Sequence, residues 1–261
     1  MKGETDVKRT LCLLLLAALL CCGCARRDLA PALSESPPVQ QSEPPQEQPA
    51  VSEPESEPPQ EQPAAQDEPQ DWRLILVNAA HPLPEDFTVE LAMTPYGYEV
   101  DKRIVEPLVT MIDAAAADGV SLLPCYGYRT LEQSAQLFEK QVNRQLALGL
   151  DQEAALEEAK HWVAPPGTSD HHTGLALDIV TPEHQVLDHA FAQTPAAQWM
   201  AQHSAQYGFV IRFPEDKQEI TGITYEPWHL RYVGEEHAAV MKEENLCLEE
   251  YWQRLYGEDA A

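Results

Sequence analysis

The chain has 261 residues, with 43 Asp and Glu against 17 Lys and Arg and a formal charge of −26 at pH 7. Acidity on this scale excludes nucleic acid and an anionic lipid surface as electrostatic partners and favours solubility. No HExxH, GxSxG, Walker or dinucleotide pattern occurs, which excludes the helix-borne zincin arrangement and the commonest nucleophile and phosphate motifs.

Lys2, Lys8 and Arg9 precede an apolar run from Leu11 to Leu20, which ends in Cys21-Cys22-Gly23-Cys24. A basic stretch, a short apolar run and a small residue before cysteine predict an export signal over residues 1–24. Gly23-Cys24 resembles a bacterial lipoprotein cleavage site, with Cys24 as the lipidated residue and Cys22 as the alternative. Residues 25–71 are expected to be a disordered tether. Ser42–Ala50 recurs unchanged at 56–64, and Pro, Glu and Gln leave nothing to bury. The expected location is extracytoplasmic, anchored to the cell membrane by lipid alone and facing the wall.

From Trp72 to Ala261 aromatic and branched residues return, enough for one domain. It holds 30 Asp and Glu against 12 Lys and Arg. Leu74–Val77 reads as a buried strand, ended by His81-Pro82-Leu83-Pro84. Ile104, Leu108, Met111, Ile112 and Ala115 recur with helical period and predict a helix over 103–117, stopped at Asp118-Gly119. A strand over 120–126 follows, and Gly127-Tyr128-Arg129-Thr130 turns out of it. Thr130 caps a helix through Leu137, Phe138 and Val142. Further helix is expected at 152–161, a strand at 174–180, a helix at 195–207, strands at 209–213 and 230–233, and one long helix at 235–255. Short strands among helices predict an α+β fold, with a small antiparallel sheet flanked by helices. Cys125 and Cys247 are expected to be buried free thiols.

Asp178 interrupts Leu175-Ala176-Leu177-Asp178-Ile179-Val180, a run otherwise suited to burial. A buried carboxylate is costly unless it is paired or holds a metal. His171 and His172 lie just upstream. In an unbroken strand His172 shares a face with Asp178; a bend at Thr173-Gly174 removes that parity, so spacing leaves both open. Glu226 and His229 flank Pro227-Trp228, where the proline forces a shaped loop. Imidazoles, one carboxylate and a spare glutamate are the inventory of a catalytic zinc site. Arg129, at a strand exit, is a candidate contact for a substrate carboxylate or oxyanion, and Arg231 a weaker one.

Ser169-x-His171-x-x-Gly174-x-Ala176-x-Asp178, followed by Glu226-Pro227-Trp228-His229, resembles the signature of VanY-type D-alanyl-D-alanine carboxypeptidases. These zinc peptidases are grouped with D-Ala-D-Ala dipeptidases and lysostaphin-like enzymes. The resemblance implies one Zn²⁺ on His171, Asp178 and His229 at the sheet face, with Glu226 as base and Arg129 and Ser169 as substrate contacts. It implies removal of the terminal D-alanine from peptidoglycan stem peptides. The working unit is expected to be a monomer. The alternatives are an L,D-carboxypeptidase acting on tetrapeptide stems and a non-catalytic wall-binding lipoprotein on the same scaffold. One position departs from the pattern: Ser134 stands where similar proteins often carry Gln, with Gln133 beside it.

Overall fold

The computed structural model describes residues 71–257; the export signal, Cys24 and all but the last residue of the tether lie outside the described residues. In chain order a hairpin comes first, β1 (Leu91–Met93) and β2 (Glu99–Asp101). Helix α1 (Val105–Ala117) then buries Leu108, Met111, Ile112 and Ala115, the stripe that its periodicity predicts. Next come β3 (Leu123–Tyr126), α2 (Leu131–Ala147), α3 (Gln152–Lys160) and β4 (Ala176–Val180). After these follow α4 (Pro195–His203), β5 (Phe209–Ile211), α5 (Gln218–Thr221), β6 (His229–Tyr232), α6 (Glu235–Glu243) and α7 (Leu248–Tyr256).

The main sheet has the order β3-β4-β6-β5, and every pairing is antiparallel. Strand β4 is central and all five of its residues are buried. One core gathers Leu175, Leu177 and Ile179 of this region with Leu108 and Met111 of α1 and Met200 of α4. Each fully buried side chain of this kind contributes about 1.5–3 kcal/mol. A second core packs Leu74 and Leu76 against α6 and α7. The α2–α3 pair holds a small third core at Val142, Ala155 and Ala159. The fold is the α+β arrangement that the sequence predicts.

Several elements differ from expectation. Leu74–Val77 is no strand. A 3-10 turn covers Trp72–Leu74, and the carbonyls of Arg73 and Ile75 accept from Arg231 Nη2 at 3.0 and 2.7 Å. An arginine side chain takes the place of a ladder partner there. The predicted strand at 120–126 is confined to its last four residues. The long C-terminal helix breaks into α6 and α7, because Asn245 adopts a left-handed φ of 53° and ends the first. Cys247 then stands as the N-cap of α7, its backbone N–H donating to Glu250 Oε2 at 2.9 Å. Both domain thiols are free; Cys247 is buried but Cys125 is only half-buried. The β1–β2 hairpin escaped the sequence reading because two three-residue strands carry too little alternation to register.

Candidate metal centre

The sheet register brings the chemistry together. Asp178 of β4 is the direct partner of His229 at the start of β6. Between Pro166 and β4 the chain makes a 3-10 turn, Asp170–Thr173, capped by the Ser169 hydroxyl, which accepts the His171 N–H at 3.4 Å. Gly174 ends the turn at φ 73°, where an added Cβ would stand 2.7 Å from Asp101 N. Only glycine fits both the angle and that approach.

This turn separates the two histidines. His171 Nδ1 donates to the Gly127 carbonyl at 2.7 Å, and its Nε2 lies 3.5 Å from Asp178 Oδ2. His172 points elsewhere: its Nδ1 donates to the Arg129 carbonyl at 2.7 Å and its Nε2 accepts from Gly167 N–H at 3.2 Å. His229 Nδ1 lies 3.5 Å from Asp178 Oδ1 and 3.1 Å from Glu226 Oε2. One donor atom from each of His171, Asp178 and His229 falls within 4.8 Å of the others.

These three residues fit a divalent cation. Asp178 Oδ1 is buried and accepts no hydrogen bond within the protein. His171 Nδ1 is committed to a carbonyl, which leaves the Nε2 lone pair free for a metal. Burial lowers the basicity of His171 and His229, so both are neutral donors near pH 7. Burial also opposes the Asp178 carboxylate, but His171, His229 and Arg129 outweigh it and hold the group below the usual range. Two imidazoles and one carboxylate facing a cleft form a donor set suited to Zn²⁺ with an open position.

Glu226 completes the charge pattern. Burial, and then the charge of Asp178, pushes its carboxyl up to about 8. A cation held by the neighbouring donors acts in the opposite direction and favours the carboxylate. Arg129 Nη2 lies 3.9 Å from Asp178 Oδ2, and the guanidinium sits 5.5 Å from the centre of the Tyr126 ring. Its Nε is buried without a partner. Arg129, Ser169, Glu226 and the three donors all line one cleft of 270 Å³, walled by Leu137, Phe213 and Trp228 among others.

Residues 97–235 match the VanY family, described as D-alanyl-D-alanine carboxypeptidase. A D-alanyl-D-alanine carboxypeptidase of Enterococcus faecalis is 42% identical over 187 residues, 71% of this chain and 68% of the relative. The chain belongs to the VanY D-alanyl-D-alanine carboxypeptidase family. A putative carboxypeptidase of Bacillus subtilis, YodJ, is 35% identical over 70% of this chain and 67% of its own length. Among solved structures, a mutant of a vancomycin-resistance D,D-pentapeptidase VanY in complex with Zn(II) is 41% identical. It aligns with a TM-score of 0.64 over 70% of this chain and 99% of that one. The LD-carboxypeptidase LdcB is 33% identical, with a TM-score of 0.61 over 70% of this chain and 86% of that one.

This VanY-family chain also builds a layer that the sequence reading missed. Asp170, beside His171, is fully buried between Arg212 and Arg231. Arg212 Nε donates to Asp170 Oδ2 at 2.5 Å, and Arg231 Nη1 donates to Oδ1. Arg212 reaches on to Glu249 with bonds of 2.7 and 2.8 Å. Arg231 is 0% exposed and cannot contact substrate, which corrects the expectation for it. A signal was present: Arg212 and Arg231 interrupt apolar strands just as Asp178 does. His172 was likewise missed as a support for the Arg129 backbone. Ser134 is fully buried, and Gln133 accepts the Thr130 N–H through Oε1 at 2.9 Å, completing the capping box of α2.

Proposed function

We propose that this VanY-family chain is a zinc-dependent carboxypeptidase that removes the C-terminal D-alanine from peptidoglycan stem peptides at the cell envelope. The observation that carries the reading is the convergence of His171, Asp178 and His229 within 4.8 Å, with Glu226 3.1 Å from one of them. In this reading the three hold the metal. Zn²⁺ bound there supplies Lewis acidity, making water acidic and polarising a carbonyl. Glu226 Oε2 takes the proton of the attacking water and passes it to the departing amine. Burial suits the task, because it raises the proton affinity of a carboxylate that must hold a proton between two steps. Arg129 presents its guanidinium to the developing oxyanion or to the substrate carboxylate. Ser169 meets the substrate at the same wall while its hydroxyl keeps the His171 turn capped. Phe213 and Trp228 exclude bulk water from the reacting atoms.

All of these groups come from one chain, which supports a monomer as the working unit. The leader ending at Cys24 and the Pro-rich segment 25–71 support a lipid-anchored enzyme held outside the membrane. A second reading, L,D-carboxypeptidase action on tetrapeptide stems, is favoured by the similarity to the LD-carboxypeptidase LdcB. The test is to incubate the purified protein with pentapeptide and tetrapeptide stems and weigh the products. D-Alanine release from the pentapeptide, abolished by chelation and restored by zinc, is expected. Release from the tetrapeptide alone selects the second reading. No release from either peptide refutes both.

A further inference from the structure

The domain is acidic, and its cations are nearly all engaged. Every Lys and Arg among the described residues, two excepted, is held in an ion pair or donates a side-chain hydrogen bond. The exceptions are Lys140 and Arg144, both on α2. They stand four residues apart, about 6 Å along the helix and on one face. Both are exposed, so water solvates them at little cost, and they are the cations of an acidic domain left free to meet an anion from outside.

Their positions say which anion. Leu137, Gln141 and Arg144 recur at helical spacing and line the cleft that holds Asp178 and Glu226. Lys140 lines an adjoining groove of 510 Å³ that shares Tyr126, Arg129 and Leu137 with the first. Of the two arginines in the cleft, Arg129 is already 3.9 Å from Asp178. Arg144 is therefore its uncommitted positive charge. It sits on the last turn of α2, about 20 Å along the helix axis from Thr130, the N-cap next to Arg129. A carboxypeptidase holds its substrate's terminal carboxylate one residue from the scissile bond, about 3.4 Å along an extended chain. Arg129 is placed for that carboxylate and Arg144 is not.

We propose that Arg144, with Lys140 adding to its field, is a specificity residue that recognises a free carboxylate on the peptide substrate upstream of the scissile bond. The inference rests on the carboxypeptidase reading for the direction of the substrate. It is specific to the chemical state of that substrate: a stem carrying the free acid is preferred over the same stem with the acid amidated.

The experiment compares two stem pentapeptides that differ only in whether one upstream carboxyl is free or amidated. For the full chain loaded with zinc, kcat/KM for the free acid is expected to exceed that for the amide about 5-fold, with the preference shrinking as salt is added. In Arg144→Gln the ratio falls close to one, and in Arg144→Glu it inverts. The amidated peptide serves as the internal reference, so a general loss of activity leaves the ratio informative. A ratio near one in the wild type, or an unchanged ratio in Arg144→Gln, overturns the proposal. Absence of D-alanine release from both peptides refutes the carboxypeptidase reading instead. The same free-acid to amide ratio, measured as Kd by calorimetry in Glu226→Gln with and without Arg144→Gln, then still decides the role of Arg144.

Discussion

Replacing Asp170 by Asn removes one negative charge from between two fully buried guanidiniums. Arg212 keeps its two bonds to Glu249, so its charge stays compensated. Arg231 retains only the carbonyls of Arg73, Ile75 and Tyr232 and loses its single carboxylate. An uncompensated buried charge of this kind costs about 3–5 kcal/mol. For a domain of this size that is a fall in Tm of about 10 °C. Because Asp170 adjoins His171, the melt is followed by calorimetry in both chelated and zinc-loaded protein, which separates lost stability from lost metal. The pH dependence has a definite sign. Burial opposes the Asp170 carboxylate, but Arg212 and Arg231 outweigh it and hold the carboxyl below its ordinary value. Its contribution is therefore complete above the unfolded pKa near ~4 and is lost as pH falls through the folded value. The Asp170→Asn protein lacks this part of the acid limb. Adding Arg231→Met to Asp170→Asn removes both charges and restores part of the stability. A chelated Asp170→Asn protein melting within about 2 °C of wild type refutes the reasoning.

Glu226→Gln keeps stoichiometric zinc while D-alanine release falls about 10²–10⁴-fold; near-normal turnover removes Glu226 as the base. His229→Ala loses the metal, and elemental analysis finding one zinc per chain takes His229 out of the site. Thr130→Ala breaks the capping box at the start of α2 and costs about 1 kcal/mol, read as a Tm lower by a few degrees. Cys24→Ser releases the protein from the membrane fraction; retention there with lipid label still attached reassigns the anchor to Cys22 or elsewhere.

Much of the site was legible because its residues break local rules. Asp178 in an apolar run and Glu226 and His229 around a proline are anomalies that a folding argument alone does not need. The periodic stripe of α1 and the Thr130 cap were legible for the opposite reason, since they obey local rules. The short hairpin, the non-strand at Leu74–Val77 and the break at Asn245 were not. Three-residue strands are too short to show alternation, and the break rests on one left-handed residue, Asn245. The carbonyls of Arg73 and Ile75 are taken by the distant side chain of Arg231. Arg212 and Arg231 carried the same anomaly as Asp178, but nothing local says that they share Asp170.

The sequence by itself determined the donor types, the α+β class and the family, because these follow from residue chemistry, periodicity and motif. It left His171 and His172 equivalent by spacing. The tertiary structure decided between them: a 3-10 turn ending at Gly174 aims His171 at Asp178 and sends His172 to the Arg129 carbonyl. It also decided that Arg231 is a buried support while Arg144 is free in the cleft. Register and burial are properties of packed elements. Two arginines of identical chemistry take different roles according to which carboxylates the fold brings to them.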